Sequence, residues 1–312
     1  MADVDDRGQL LLVGALTLAV MLVALAVLLN AAIYTGNVAT RDAGTGAGEA
    51  IEYENEATTM AAASIDAVDG DTYAAVRGNF NDSVQGFSEL AHTHSGASLA
   101  ATNLTTVDMV NGSRIGQESD RNFTDDNGVS NWTVAEDTQA RAFRLNVTQS
   151  SLATTADGAF QITFDDGTDE WGVFLHTDGS NVVVTVEDET DTEVGDGCTV
   201  DPGDDGRAVV DITGGTVGGE DCPELRFFGN LSGSYTVEYV DTLDGSEQVN
   251  GTYSLVVDRQ EGSLVTGADE DAGAPTVSPA LYSADLTVTY QSADLLYQSE
   301  FRVAPGEAGD DD

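Results

Sequence analysis

The chain has no lysine. All eleven of its basic residues are arginine, set against 55 acidic residues in 312, for a formal net charge of −44. Nucleic-acid binders replace counterions with clusters of Lys and Arg, so this balance argues against a nucleic-acid partner. Histidine is scarce, at three residues, and cysteine scarcer, at two. There is no H-E-x-x-H, no G-x-S-x-G elbow and no Gly-rich phosphate loop followed by Lys, which removes the most recognisable hydrolase and nucleotide-binding signatures. His92-Thr-His94 is a metal pair by type only. Two positions apart on a helix do not face each other, and no third His or Cys lies near in sequence. The Asp-rich turns "DDGTDE", "DETDTEVGDG" and "DPGDDG" lack the ligand spacing of an EF-hand. The sequence therefore nominates no catalytic residue, no cofactor and no metal site, and the reading is of a non-enzyme.

Apolar residues still make up 41% of the chain, enough to build a core. A folded chain this acidic repels itself in dilute buffer. Molar salt shortens the Debye length to roughly 3 Å and removes most of that repulsion. The acids run the whole length rather than forming one block, so a hydrated carboxylate coat suited to brine is the simplest account.

One stretch escapes this coat. From Leu10 to Leu29 the chain is apolar except for Gly14 and Thr17, and it holds no charge. As a helix it is long enough to cross about 30 Å of hydrocarbon, and it shows no polar face of the kind a core helix presents. It is expected to be a transmembrane helix over residues 9–34, with the lipid bilayer as its partner. Arg7 and Arg41 flank it on either side, so the positive-inside rule barely decides orientation. The short N-terminal flank, the cysteines after the span and the Asn-x-Ser/Thr sequons place the bulk outside the cell. Sequons stand at Asn81, Asn103, Asn111, Asn122, Asn131, Asn146, Asn230 and Asn250, and are expected to be glycosylation acceptors. Cys198 and Cys222 can close a loop of about 25 residues, for roughly 3 kcal/mol, if their geometry allows.

The leader "MADVDDRG", then Gln9 and an uninterrupted apolar helix, resembles the N-terminus of archaeal pilin-like proteins. More narrowly, "DRGQLLLVGALTLAV…LLNAAIYTGNVATRDAG" is similar to a haloarchaeal family of single-span, pilin-like surface proteins. The resemblance covers about the first 45 residues. It implies cleavage between Gly8 and Gln9 by a prepilin-type peptidase, with other pilin-like subunits as partners. The chain departs from the pattern at Gln9-Leu10, where the major pilins carry Ser-Pro, and it lacks an early acidic residue in the helix. Both departures bear on filament assembly more than on anchorage. A monomeric tethered binding or adhesion module is the alternative reading.

Beyond a Gly-rich hinge, residues 49–68 read as helix. A second helix follows Gly70, with Asp71 as its cap, and Tyr73, Val76, Phe80, Val84, Phe87 and Ala91 recur at spacings of three and four. From about Thr133 the period becomes two, as in Phe143/Leu145/Val147, Phe160/Ile162/Phe164 and Tyr235/Val237/Tyr239. Asp-Gly pairs at Asp157, Asp166, Asp178, Asp205 and Asp244 mark hairpin turns. The expected fold class is α+β: an N-terminal transmembrane helix, a short helical stalk and a C-terminal antiparallel β-sandwich-like domain. The expected divisions are 1–8 leader, 9–34 span, 35–107 hinge and stalk, 108–304 extracellular β-rich domain, and 305–312 acidic tail.

Overall fold

The computed structural model describes residues 46–95, 99–190, 192–231, 233–241, 248–268 and 275–307. The leader with Gly8 and Gln9, the expected span, the Asp244 turn and the last five residues of the tail lie outside the described residues. Among the described residues no helix is long and apolar enough to cross a membrane.

Helix α1 covers 46–67 and α2 covers Tyr73–Ser95. The strands are β1 (Ala101–Asn122), β2 (Trp132–Thr138), β3 (Ala140–Thr148), β4 (Phe160–Asp165), β5 (Glu170–Asp178), β6 (Asn181–Glu187) and β7 (Cys198–Val200). There follow β8 (Arg207–Asp211), β9 (Thr216–Val217), β10 (Glu220–Asp221), β11 (Tyr235–Val240), β12 (Asn250–Val257), β13 (Thr276–Gln291) and β14 (Leu296–Val303). They form an eight-stranded sheet of order β10-β9-β8-β3-β12-β1-β13-β14 and a six-stranded sheet of order β2-β11-β4-β5-β6-β7.

The chain divides into two compact units. One comprises residues up to Glu56, with Ala91–Asn103 and Val288–Ser299; the other comprises Ala57–Leu90, Leu104–Thr287 and residues from Glu300 onward. Within the first, the Tyr290 hydroxyl donates to Glu49 Oε2 at 2.6 Å, and Tyr297 donates to Glu54.

The second unit holds the sandwich. Alternation is the cause of its core: Phe143, Leu145 and Val147 of β3 are fully buried, as are Phe160, Ile162 and Phe164 of β4. Each such side chain contributes about 1.5–3 kcal/mol by leaving water. The sheets meet through aromatic rings. Tyr239 of β11 lies 5.2 Å from Phe160, 5.4 Å from Tyr253 of β12 and 5.6 Å from Trp132. Phe143 reaches Phe164 across the sheets at 6.1 Å. Edge-to-face pairs of this kind add about 0.5–1.5 kcal/mol beyond burial.

Two sequence expectations about the helices change. The first turn of α2 is capped by Thr72, whose Oγ1 accepts from the Ala75 amide at 3.2 Å; Asp71 stands one position too early for that bond. The buried stripe is Val76, Phe80, Val84 and Ser88. Spacing by four puts Ser88 where Phe87 was expected, and its Oγ accepts from the Leu104 amide at 3.0 Å. Arg77 donates to the Met109 carbonyl at 2.9 Å, and the Tyr73 hydroxyl lies 3.2 Å from Ser113 Oγ. The Tyr73–Leu90 stretch of α2 therefore packs along β1 within the sandwich unit. Residues 101–107, expected in the stalk, already belong to β1.

Of the Asp-Gly pairs, Asp166 and Asp178 make hairpin turns, between β4 and β5 and between β5 and β6. At the latter, Gly179 takes φ +64° between the paired Asp178 and Asn181, a conformation that favours glycine. Asp157 and Asp205 instead sit in short 3-10 turns.

Candidate functional site

The eight sequon asparagines do not form one patch. Asn81, Asn103 and Asn230 are exposed. Asn122 and Asn131 are exposed and already bonded: Asn122 Nδ2 donates to Gln248 at 2.9 Å, and Asn131 Oδ1 accepts from the Asp241 amide at 2.8 Å. Asn111, Asn146 and Asn250 are half-buried. Asn146 Oδ1 accepts from Arg207 Nε at 3.2 Å, while Asn111 is followed two residues on by the fully buried Ser113. The ladder of β1 and β12 does bring Asn122 and Asn250 side by side.

Cys198 and Cys222 form a disulfide with a Cα–Cα separation of 5.9 Å. Cys198 opens β7, the edge strand of the six-stranded sheet; Cys222 directly follows β10, the edge strand of the eight-stranded sheet. The bridge thus joins the two sheets at matching edges. The Glu224 carboxylate lies 3.1 Å from Cys198 Sγ. Cys198, Cys222 and Glu224 gather potential ligand atoms within 4.8 Å, but bonded sulfurs offer no thiolate to a metal.

The Asp-rich turns use their carboxylates internally. Asp188 Oδ1 accepts from the Thr190 hydroxyl at 2.7 Å and from the amides of Thr190 and Thr192 at 2.9 and 3.0 Å. The hydroxyl bond, then the two amide bonds, hold its pKa below the usual carboxylate value. Asp166 Oδ1 accepts in the same way from the Thr168 and Asp169 amides at 2.8 and 2.9 Å. His92 and His94 are exposed in the last turn of α2, and His176 is on β5, so the histidines do not converge.

Among the described residues, the cavities of the sandwich unit include two lined by polar side chains. One, of about 430 Å³, is lined by Gln139, Phe228, Tyr235, Tyr282, Arg302 and Glu307. Tyr235 Oη accepts from the Ala140 amide at 2.8 Å and Arg302 pairs with Glu307, while the Tyr282 hydroxyl is buried with no hydrogen bond among the described residues. Burial, then Glu307, push the Tyr282 phenol well above its ordinary pKa.

The other cavity, of about 360 Å³, is lined by Asp66, Arg114, Arg144, Asp211, Ser254 and Gly306, among others. Arg114 comes from β1 and Arg144 from β3; β12 runs between them. Its Ser254 and Val256 pair with Arg144 and Ala142 on one side and with Gly116 and Arg114 on the other. These small neighbours leave space between two long cationic side chains. Arg144 donates through Nε and Nη2 to Asp211, its cross-strand partner. That bond and that charge, set against burial, raise the pKa of its guanidinium. Arg114 Nη2 donates to the Asp66 carbonyl at 3.1 Å. Behind Asp66 lies Arg141, fully buried and ion-paired to the half-exposed Asp66 carboxylate. The β3–β12 register shifts between Ala142 and Ala140, so Arg141 occupies a bulge. Bulges re-aim side chains that a regular strand would point into the core. Nε and Nη2 of Arg141, and Nε of Arg114, are buried without a hydrogen-bond partner among the described residues. Gly306 also lines the cavity, and an added Cβ there would come within 2.3 Å of the Arg141 carbonyl. Sequence reading did not find this site. Its one signal was "RAFR", two arginines inside an apolar strand of a chain with eleven in all.

A family model, the family of unknown function DUF7261, matches residues 4–163. Neither a curated protein nor a solved structure matches the chain.

Proposed function

The chain belongs to the DUF7261 family, of unknown function, and from that premise we propose that it is a membrane-anchored cell-surface structural protein of a halophile. The apolar segment 9–34 holds the chain in the bilayer, and the sandwich unit faces the brine as a pilin-like envelope or filament component. One observation carries the reading. It is the uncharged, apolar stretch from Leu10 to Leu29, long enough as a helix to cross about 30 Å of hydrocarbon; the family match, over residues 4–163, includes it. A cystine across the sheet edges and exposed sequon asparagines support an external position.

Mass spectrometry of the mature N-terminus tests the route. Gln9 as the first residue is expected for pilin-like processing; an intact Met1 or Ala2 would leave only the tether. Recovery of the full-length protein in the soluble cytosol, free of membrane, would overturn anchorage itself. The second reading, a tethered binding module without assembly, is favoured by the arginine-lined cavity. Shearing cells separates the two: a filament component is released, a tether is retained.

A further inference from the structure

We propose that the cavity between Arg114 and Arg144 binds a small carboxylate ligand, the size of a single sugar acid or amino acid. The assignment stands whether or not the N-terminus is processed, because every residue in it lies in the sandwich unit.

Charge is the first argument. In a molecule of net charge −44, this cavity gathers Arg114 and Arg144 in its wall and Arg141 behind it, against Asp66 and Asp211. Three cations against two anions leave one positive charge, which matches a monoanion. A dianionic sulfate or phosphate would leave excess negative charge inside a strongly acidic molecule.

Hydrogen bonding is the second. Asp66 and Asp211 do not exhaust the guanidiniums. Among the described residues Arg114 donates only through Nη2 and Arg144 only through Nε and Nη2, so Nη1 of each is unengaged where the two side chains line the cavity. A carboxylate entering the cavity can accept from these Nη1 groups. Guanidinium forks match the planar oxygens of a carboxylate.

Geometry is the third. Arg114 and Arg144 rise from strands separated by β12, hence about 10 Å apart sideways. A ligand above Ser254 and Val256 would be gripped from two sides. The cavity's 360 Å³ sits at the small end of ligand pockets. Docking of the α1 end accounts for Asp66 with Arg141; it does not account for open space beside Arg114.

The test is isothermal titration of the full-length, detergent-solubilised protein in molar KCl with sodium D-glucuronate, sodium L-glutamate, D-glucose and sodium sulfate. Saturable binding of glucuronate or glutamate is expected, and the stronger of the two tells a sugar acid from an amino acid. Glucose should not bind. Arg114→Gln and Arg144→Gln should each weaken binding by roughly tenfold or more. Ser254→Phe keeps every charge and fills the floor; it should abolish binding with an unchanged thermal midpoint, and it decides the matter if an arginine variant fails to fold. The proposal is overturned if neither carboxylate binds, if glucose or sulfate binds as tightly, or if folded Ser254→Phe protein binds as the parent does.

Discussion

The strands of the eight-stranded sheet carry six arginines, Arg114, Arg121, Arg141, Arg144, Arg207 and Arg302; the strands of the six-stranded sheet carry none. The latter hold seven acids, Glu136, Asp137, Asp165, Glu170, Asp178, Glu187 and Glu238, against eight on the strands of the larger sheet, so the difference lies in the arginines. Both sheets donate similar apolar faces to one core, so the contrast is confined to charge. On the acidic sheet Glu238 takes the Thr133 hydroxyl at 2.9 Å, and Asp137 borrows Arg259 from a loop. On the other sheet two acids pair with strand arginines, Asp211 with Arg144 and Asp120 with Arg207. These six arginines range from the fully buried Arg141 to the exposed Arg121, Arg144 and Arg302, so the scarce cations of the chain are gathered on one sheet at every depth.

The shared core is the place to break both sheets at once. Tyr239→Ala removes a fully buried ring that touches aromatic rings of both sheets, and a loss of about 3–5 kcal/mol is expected by chemical denaturation at fixed salt. A loss under 1 kcal/mol would mean that the sheets do not depend on this contact. Next in size is the cystine. Replacing Cys198 and Cys222 together by Ser should cost about 3 kcal/mol, read as a lower denaturation midpoint.

The contrast in charge is sharpened by a pair of neutralisations. Asp66→Asn leaves Arg141 buried without its counterion and should cost about 3 kcal/mol. That is the low end for breaking a buried pair, because Asp66 is itself half exposed. Glu136→Gln, exposed on the acidic sheet, should change stability by no more than about 0.5 kcal/mol. Equal effects at the two sites would erase the distinction.

The smallest effect at neutral pH belongs to the buried phenols. Burial pushes Tyr235, Tyr239 and Tyr253 well above their ordinary pKa. A phenol raised in the folded state contributes stability that is fully present below the unfolded value of about 10 and is lost as pH rises beyond it. Absorbance at 295 nm should therefore show these three ionising only as the fold is lost. Ionisation at about pH 10 with the circular dichroism intact would contradict their burial.

Legibility followed burial. β3, β4 and β11 could be read because their inward positions are uniformly large and apolar. β1 could not. It hides Ser113 and Gln117 on the inside, the latter satisfied by the carbonyls of Arg121 and Gly251 at 2.9 and 2.8 Å. Polar residues inside a strand erase the period that reveals it. The pairing of Cys198 with Cys222 followed from there being only two cysteines; that it crosses from sheet to sheet did not. The arginine cavity was hidden for another reason. Its walls are drawn from Asp66 to Gly306, and their meeting depends on strand order and a one-residue bulge, neither of which leaves a local mark in sequence.

The cystine also has a mechanical consequence. Under tension, a bridge between sheet edges divides the chain into parts that bear load and a part that cannot. When the ends are drawn apart, the loop from Cys198 to Cys222, a sequence separation of 24, stays slack, withholding about 80 Å of contour length. Stretched singly, the oxidised molecule should reach full extension that much sooner than the reduced one.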